Sequence, residues 1–152
     1  MADIVNSATR SRMMSSIRGA NTKPEMVLRR LLHASGLRYR LFARELPGKP
    51  DLVFSGKRAV VFVNGCFWHR HEGCHWCTVP ATNASFWKEK FESNVARDIR
   101  NTANLHELGW RVATVWECAL KGEEAERTSR ALQEWLESER DHFETQVIRH
   151  RT

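Results

Sequence analysis

Apolar residues recur at helical spacing at Val27, Leu28, Leu31 and Leu32, with arginines between them, and Gly36 ends the pattern. Just upstream, Thr22-Lys23-Pro24-Glu25 supplies a candidate N-cap, a proline in the first turn and a glutamate three residues on, the capping-box arrangement. An earlier stretch, Ser7 to Gly19, reads as a short basic helix carrying Met13, Met14 and Ile17. The period then changes. Leu37, Tyr39 and Leu41 alternate with Arg38 and Arg40, which predicts a strand with a basic outer face. Leu46-Pro47-Gly48-Lys49-Pro50 forms a rigid turn, and Asp51 heads the next strand, Asp51-Leu52-Val53-Phe54. Ser55-Gly56-Lys57 reverses the chain into Ala59–Val63, a continuous apolar run expected of a strand buried on both faces. That strand delivers Asn64, Gly65 and Cys66 at its end.

Residues 66–85 show no period. A helix from about Ser85 to Leu108 carries Trp87, Phe91, Val95, Ile99 and Ala103 at four-residue spacing, and Gly109 closes it. Trp110–Trp116 is a further strand. A charged helix from about Glu123 to Phe143 turns Leu132, Trp135 and Leu136 inward, and residues 138–152 are expected as a flexible tail. The order of elements implies one α/β domain over residues 1–152, a mixed central sheet flanked by helices.

Composition narrows the classes. The 152 residues are 41% hydrophobic and 28% charged, an ordinary globular balance for one core rather than two. No apolar run approaches the roughly 20 residues that span a bilayer, and the amino terminus lacks a signal-peptide core. A cytoplasmic protein with no membrane partner is expected. The net charge of +6 is uneven: residues 1–50 carry ten Lys/Arg against Asp3, Glu25 and Glu45, while residues 51–152 are near balance. Such a basic half suits a polyanion, although a solvated basic face with no partner has the same signature. Four cysteines in such a compartment point to metal or buried thiols rather than disulfides.

The densest chemistry lies in Cys66-Phe-Trp-His69-Arg-His71-Glu-Gly-Cys74-His75-Trp-Cys77, three cysteines and three histidines within twelve residues. Cys118, at the end of a later strand, can return beside it. Four such ligands around tetrahedral Zn²⁺ would organise a loop that apolar packing cannot. Density alone does not choose the four, since Cys74-x-x-Cys77 is itself a plausible pair. A second signal is Pro50-Asp51 ahead of a buried strand, where an acid could hold a divalent metal against a phosphodiester, or simply make a turn.

In combination, PGKPDLVF, VFVNGCFWHRHEGC, FWKEKFESNVARDIR and LGWRVATVWECAL resemble the very-short-patch repair endonucleases, in order and with near-constant spacing over roughly residues 8–137. The resemblance implies a restriction-endonuclease-like fold. It implies nicking on the 5′ side of the thymine in a T·G mismatch left by deamination of 5-methylcytosine in double-stranded DNA. Carried over residue by residue, Asp51 would hold Mg²⁺ together with the backbone carbonyl of Val63, and His69 would be the general base. Glu25 and Asp98 would support the metal-bound waters and the histidine. Cys66, His71, Cys74 and Cys118 would bind a structural Zn²⁺. Phe67, Trp68 and Trp87 would wedge into DNA, joined by Met14 from the amino-terminal helix.

Two positions depart from the family's pattern. Val63 stands where threonine is familiar, a change that a backbone ligand tolerates. Asn64 stands where a histidine lies near the scissile phosphate; it still donates a hydrogen bond but carries no charge. One extra residue separates His71 from Cys74, yet Cys74 keeps its distance to Val79-Pro80, which favours Cys74 over Cys77 as ligand. Bland readings stand beside several of these roles. Capping explains Glu25, an ion pair with Arg97 or Arg100 explains Asp98, and helical packing explains Trp87. A monomer acting in the bacterial nucleoid, with mismatch-repair proteins as further partners, completes the expectation. The rival from another class is a zinc-stabilised mismatch-binding module that does not cut, or an endonuclease of altered specificity.

Overall fold

The computed structural model describes residues 21–146, which form a single mixed α/β domain. The helix expected over Ser7–Gly19, with Met14, lies outside the described residues. Helix α1 spans Lys23–Ala34. The Thr22 hydroxyl accepts the Glu25 N–H at 3.4 Å, so the predicted cap forms. The reciprocal bond is displaced by one residue, because Glu25 Oε2 accepts the Asn21 N–H at 3.2 Å instead of that of Thr22.

Five strands follow, β1 (Arg40–Leu41), β2 (Leu52–Phe54), β3 (Ala59–Asn64), β4 (Arg111–Trp116) and β5 (His142–Glu144), in that order across one sheet. The first three make an antiparallel meander, whereas β3–β4 and β4–β5 are parallel. Helices α2 (Ala84–Glu107) and α3 (Glu124–Leu136) make the two parallel crossovers. They cover opposite faces. Leu28, Leu32, Leu132, Trp135 and Leu136 of α1 and α3 pack on Leu52, Phe54, Ala59, Val61, Ala113 and Val115. On the other face, Leu105 of α2 packs with Val53, Val60 and Val112. β3 and β4 therefore need apolar side chains at successive positions, which is why neither strand alternates.

Three expectations change. The strand read over Leu37–Leu41 shortens to Arg40–Leu41, with both residues exposed. On α2 the four-residue stripe does not stay inward, because each four-residue step overshoots a full turn by about 40°. Phe91, Asn94 and Leu105 are the buried positions, and Ile99 is 67% exposed. The last helix ends at Leu136, not Phe143, and part of the segment expected as a tail pairs as β5. Arg111 explains the stop: its guanidinium donates to the carbonyls of Trp135, Leu136 and Arg140 at 3.0–3.2 Å and stacks over the Trp135 ring at 4.6 Å. These bonds satisfy the end carbonyls of α3 and turn the chain back along β4.

Candidate active site and metal centre

Two sites grow from the carboxyl end of β3. The first is an open cleft of about 850 Å³, lined by the start of α1, the 42–51 loop, the end of β3, the following turn and the inner face of α2. Asp51 is held at the head of β2, where its Oδ2 accepts the Val63 N–H at 2.7 Å. Glu25, 1% exposed, lies beside it with Oε2 also accepting from Arg29 at 3.3 Å. Burial pushes Asp51 up to about 7, and the Glu25 charge adds to this against the pull of the Val63 N–H and His69. Glu25 is likewise raised by burial, more than Arg29 and the Asn21 N–H lower it. Two neighbouring carboxyls that resist ionisation together are a donor set that a divalent cation satisfies. Glu25 thus accepts at the start of α1 and also lines the cleft.

His69 faces the same cleft. Its Nδ1 lies 2.6 Å from Asp98 Oδ2, and its N–H bonds back to the Gly65 carbonyl at 3.1 Å. Asp98 is therefore a partner of the histidine, not of Arg97 or Arg100. A carboxylate at Nδ1 fixes the ring and leaves Nε2 for proton transfer. Asn64, at the last position of β3, also lines the cleft. It is about nine-tenths buried, and its side chain has no hydrogen-bond partner among the described residues. Sequence reasoning missed Asn94, whose Nδ2 donates to the Trp68 carbonyl at 3.0 Å and ties α2 to the turn after β3. It also missed Arg44, Lys49, Arg97 and Asn101 in the lining. No local motif marks them, because they meet only when α2 folds over the 42–51 loop.

Phe67 and Trp68 form one aromatic cluster with Trp87 and Phe91. Phe67 meets Trp68, Trp87 and Phe91 edge-on at centroid distances of 5.0–6.0 Å, and Trp68 meets Trp87 at 5.7 Å. Phe91 is buried, whereas Phe67, Trp68 and Trp87 are half-buried, and the first two open into the cleft. Arg70 stacks over Phe91 at 3.9 Å and donates to the Phe67 and Thr78 carbonyls, closing the loop beneath the cluster. Trp87 packs on Phe91 and stays half-buried.

Behind this cluster lies the second site. Cys66, His71, Cys74 and Cys118 are all buried, with one donor atom each, all within 4.8 Å of one another. His71 Nδ1 is 3.6 Å from Cys66 Sγ and 3.5 Å from Cys118 Sγ. A tetrahedral Zn²⁺ with Zn–S near 2.3 Å and Zn–N near 2.0 Å requires S···N edges of roughly 3.5 Å. The four therefore fit. The Cys118 thiol and burial raise Cys66, and burial raises Cys74, the expected cost of crowding thiols without a cation. Cys77 packs against the cluster but is not among the four. Trp116, unnoticed beforehand, stacks on His71 at 4.2 Å and 6°. Its Nε1 donates to Glu144 and its N–H to Thr145, both at 2.9 Å, so β5 braces the cluster.

The family model for the DNA mismatch endonuclease Vsr matches residues 2–76. The chain is 47% identical to the DNA mismatch endonuclease Vsr of Escherichia coli K12 over 139 residues, 90% of this chain and 88% of that protein. This chain belongs to the Vsr family. Other similar members are the type II nicking enzymes V.XorIIP of Xanthomonas oryzae, 47% identical over 79% of this chain and 88% of its own, and V.NmeAIP of Neisseria meningitidis, 41% identical over 88% and 96%. The acid–histidine cleft and the Cys₃His cluster are thus features of a Vsr-family chain. Among the described residues no helix is long and apolar enough to cross a membrane.

Proposed function

We propose that this chain is a DNA mismatch endonuclease of restriction-endonuclease-like fold that nicks 5′ to the thymine of a T·G pair. The observation that carries the reading is the convergence of Glu25, Asp51 and the Asp98-held His69 on one cleft beside the aromatic cluster. Asp51 and the Val63 carbonyl would hold Mg²⁺, which when bound would neutralise the phosphate and stabilise the leaving 3′ oxygen. His69 takes the proton of the attacking water at Nε2, while Asp98 holds Nδ1 and stabilises the imidazolium that results. Glu25 orients water near Asp51, and Asn64 donates to the scissile phosphate. Phe67, Trp68 and Trp87, with Met14 from the amino-terminal segment, enter the base step beside the mismatch. The Cys₃His cluster holds Zn²⁺ as a structural ion. The working form is a monomer in the bacterial cytoplasm, on nucleoid DNA, with mismatch-repair proteins downstream.

The test is direct. Duplexes with one T·G pair in varied flanking contexts, incubated with the protein and Mg²⁺, are expected to be nicked in the thymine strand immediately 5′ of the mismatch. Binding without cleavage in either Mg²⁺ or Mn²⁺ would make the chain a mismatch-binding module instead.

A further inference from the structure

We infer that Arg44, Lys49 and Arg97 form a phosphate clamp across the cleft, gripping the DNA backbone on either side of the scissile bond. The inference rests on the nuclease reading and adds the residues that hold the polyanion. All three are exposed and line the same cleft as Asp51 and His69. Among the described residues none of their side chains makes a hydrogen bond or ion pair. Several cations elsewhere are engaged: Arg40 with Glu45, Lys57 with Glu137, Arg127 with Glu124. Unpaired cations lining the same cleft as Glu25 and Asp51 lower the electrostatic cost of bringing a phosphodiester to those acids.

The placement is built, not incidental. Arg44 and Lys49 lie on the loop between β1 and β2, and Arg97 lies on α2, so the two walls of the cleft each contribute charge. The loop is seated on α2 through Gly48. A Cβ there would lie 2.9 Å from Asn101 Nδ2, 3.0 Å from its Cβ and 3.1 Å from its Cγ. Rotating the carboxamide away does not relieve the contact with the Asn101 Cβ, and the Gly48 backbone is left-handed at φ +77°. Only glycine lets the loop approach this closely, and the approach sets the spacing of Lys49 and Arg44 from Arg97.

The probe is a 20-bp duplex, prepared once with a central T·G pair and once fully paired, with affinity measured against salt concentration. Arg44→Ala, Lys49→Ala and Arg97→Ala are each expected to reduce the slope of log K against log salt by about one. Phosphate contacts carry no sequence information, so the loss is equal on the two duplexes. Arg44→Lys, Lys49→Arg and Arg97→Lys restore the slope. Arg127→Ala, on the far side of the sheet, leaves it unchanged. Gly48→Ala weakens binding in the same way, and a native-like circular dichroism spectrum at the assay temperature separates a displaced loop from unfolding. If wild type binds and the three alanine variants keep its slope, the clamp is wrong while the nuclease reading survives. A wild-type protein that binds neither duplex overturns both.

Discussion

The sheet sandwich and the loop between β3 and α2 hold their shape by different means. In the sandwich, Leu28, Leu52, Val60, Val61, Val112, Leu132 and Trp135 are fully buried, and the removal of apolar area from water supplies the cohesion, about 1.5–3 kcal/mol for each such side chain. In the 65–83 loop almost no aliphatic side chain is buried, and Cys66, His71 and Cys74 reach back to Cys118 at the end of β4. The four donor atoms gather at one point of the loop, whereas the sandwich's apolar contacts spread over both faces of the sheet. His69 and His71 mark the border, with a single residue between them. His69 turns to Asp98 and the open cleft, and His71 turns to two thiols and the Trp116 ring. The loop thus presents His69 and the half-buried Phe67 and Trp68 to the cleft while Cys66, His71 and Cys74 turn to the opposite side.

Concentrated and distributed cohesion predict different responses to mutation. The largest effect is expected at the cluster. Cys66→Ser, His71→Ala or Cys118→Ser should lose the metal and unfold the loop, since folding there is coupled to a binding free energy on the order of 10 kcal/mol. Elemental analysis and limited proteolysis between residues 66 and 83 read this out, and Cys77→Ser should retain one zinc per chain. Next comes the cleft. Asp51→Ala should abolish nicking yet leave mismatch binding nearly intact. His69→Ala should lower the nicking rate by roughly 10²–10⁴ without releasing zinc, which separates it from His71→Ala. Leu28→Ala in the sandwich should cost about 2–5 kcal/mol in chemical denaturation while the metal stays bound.

A smaller effect concerns pH. Asp51 is raised from 3.8 to about 7, chiefly by burial, so the folded chain binds its proton more tightly than the unfolded chain does. Stability of the zinc-loaded, magnesium-free protein should therefore fall as pH rises from about 4 to 7 and level off above that. Asp51→Asn should remove that part of the slope, and Mg²⁺ should raise the melting temperature most above pH 7. The smallest change is expected from Asn64→His, which should leave the nicking rate similar or raise it, as a steady-state assay would show.

Periodicity carried the helices and the two central strands, because burial on one stripe or on both faces leaves a mark in local sequence. The stripe on α2 misled where four-residue spacing stood in for the true 3.6. β5 left no mark at all: three residues at a sheet edge, one of them half-buried, have too little apolar content to show a period. At the site, motif resemblance singled out Asp51, His69 and the four cluster residues. Spacing between Cys74 and Pro80 favoured Cys74 over Cys77, in agreement with the buried set. Asn94, Asn101 and Trp116 gave no signal, since an amide on a helix and a tryptophan in a strand have many ordinary uses.

By itself, then, the sequence determined what local chemistry determines: which segments become helix or buried strand, where α1 is capped, and which residue types stand ready to bind metal. Its motifs also determined the family resemblance. Only the tertiary structure decided the pairings across long separations. Glu25 meets Asp51, His69 meets Asp98 and Cys66 meets Cys118 because the sheet order and the α2 crossover bring them together. The physical reason is the short range of the forces concerned. Hydrogen bonds, ligand bonds and desolvation act over a few ångströms, and nothing in the chain records which distant residue will come that close until packing has placed it there.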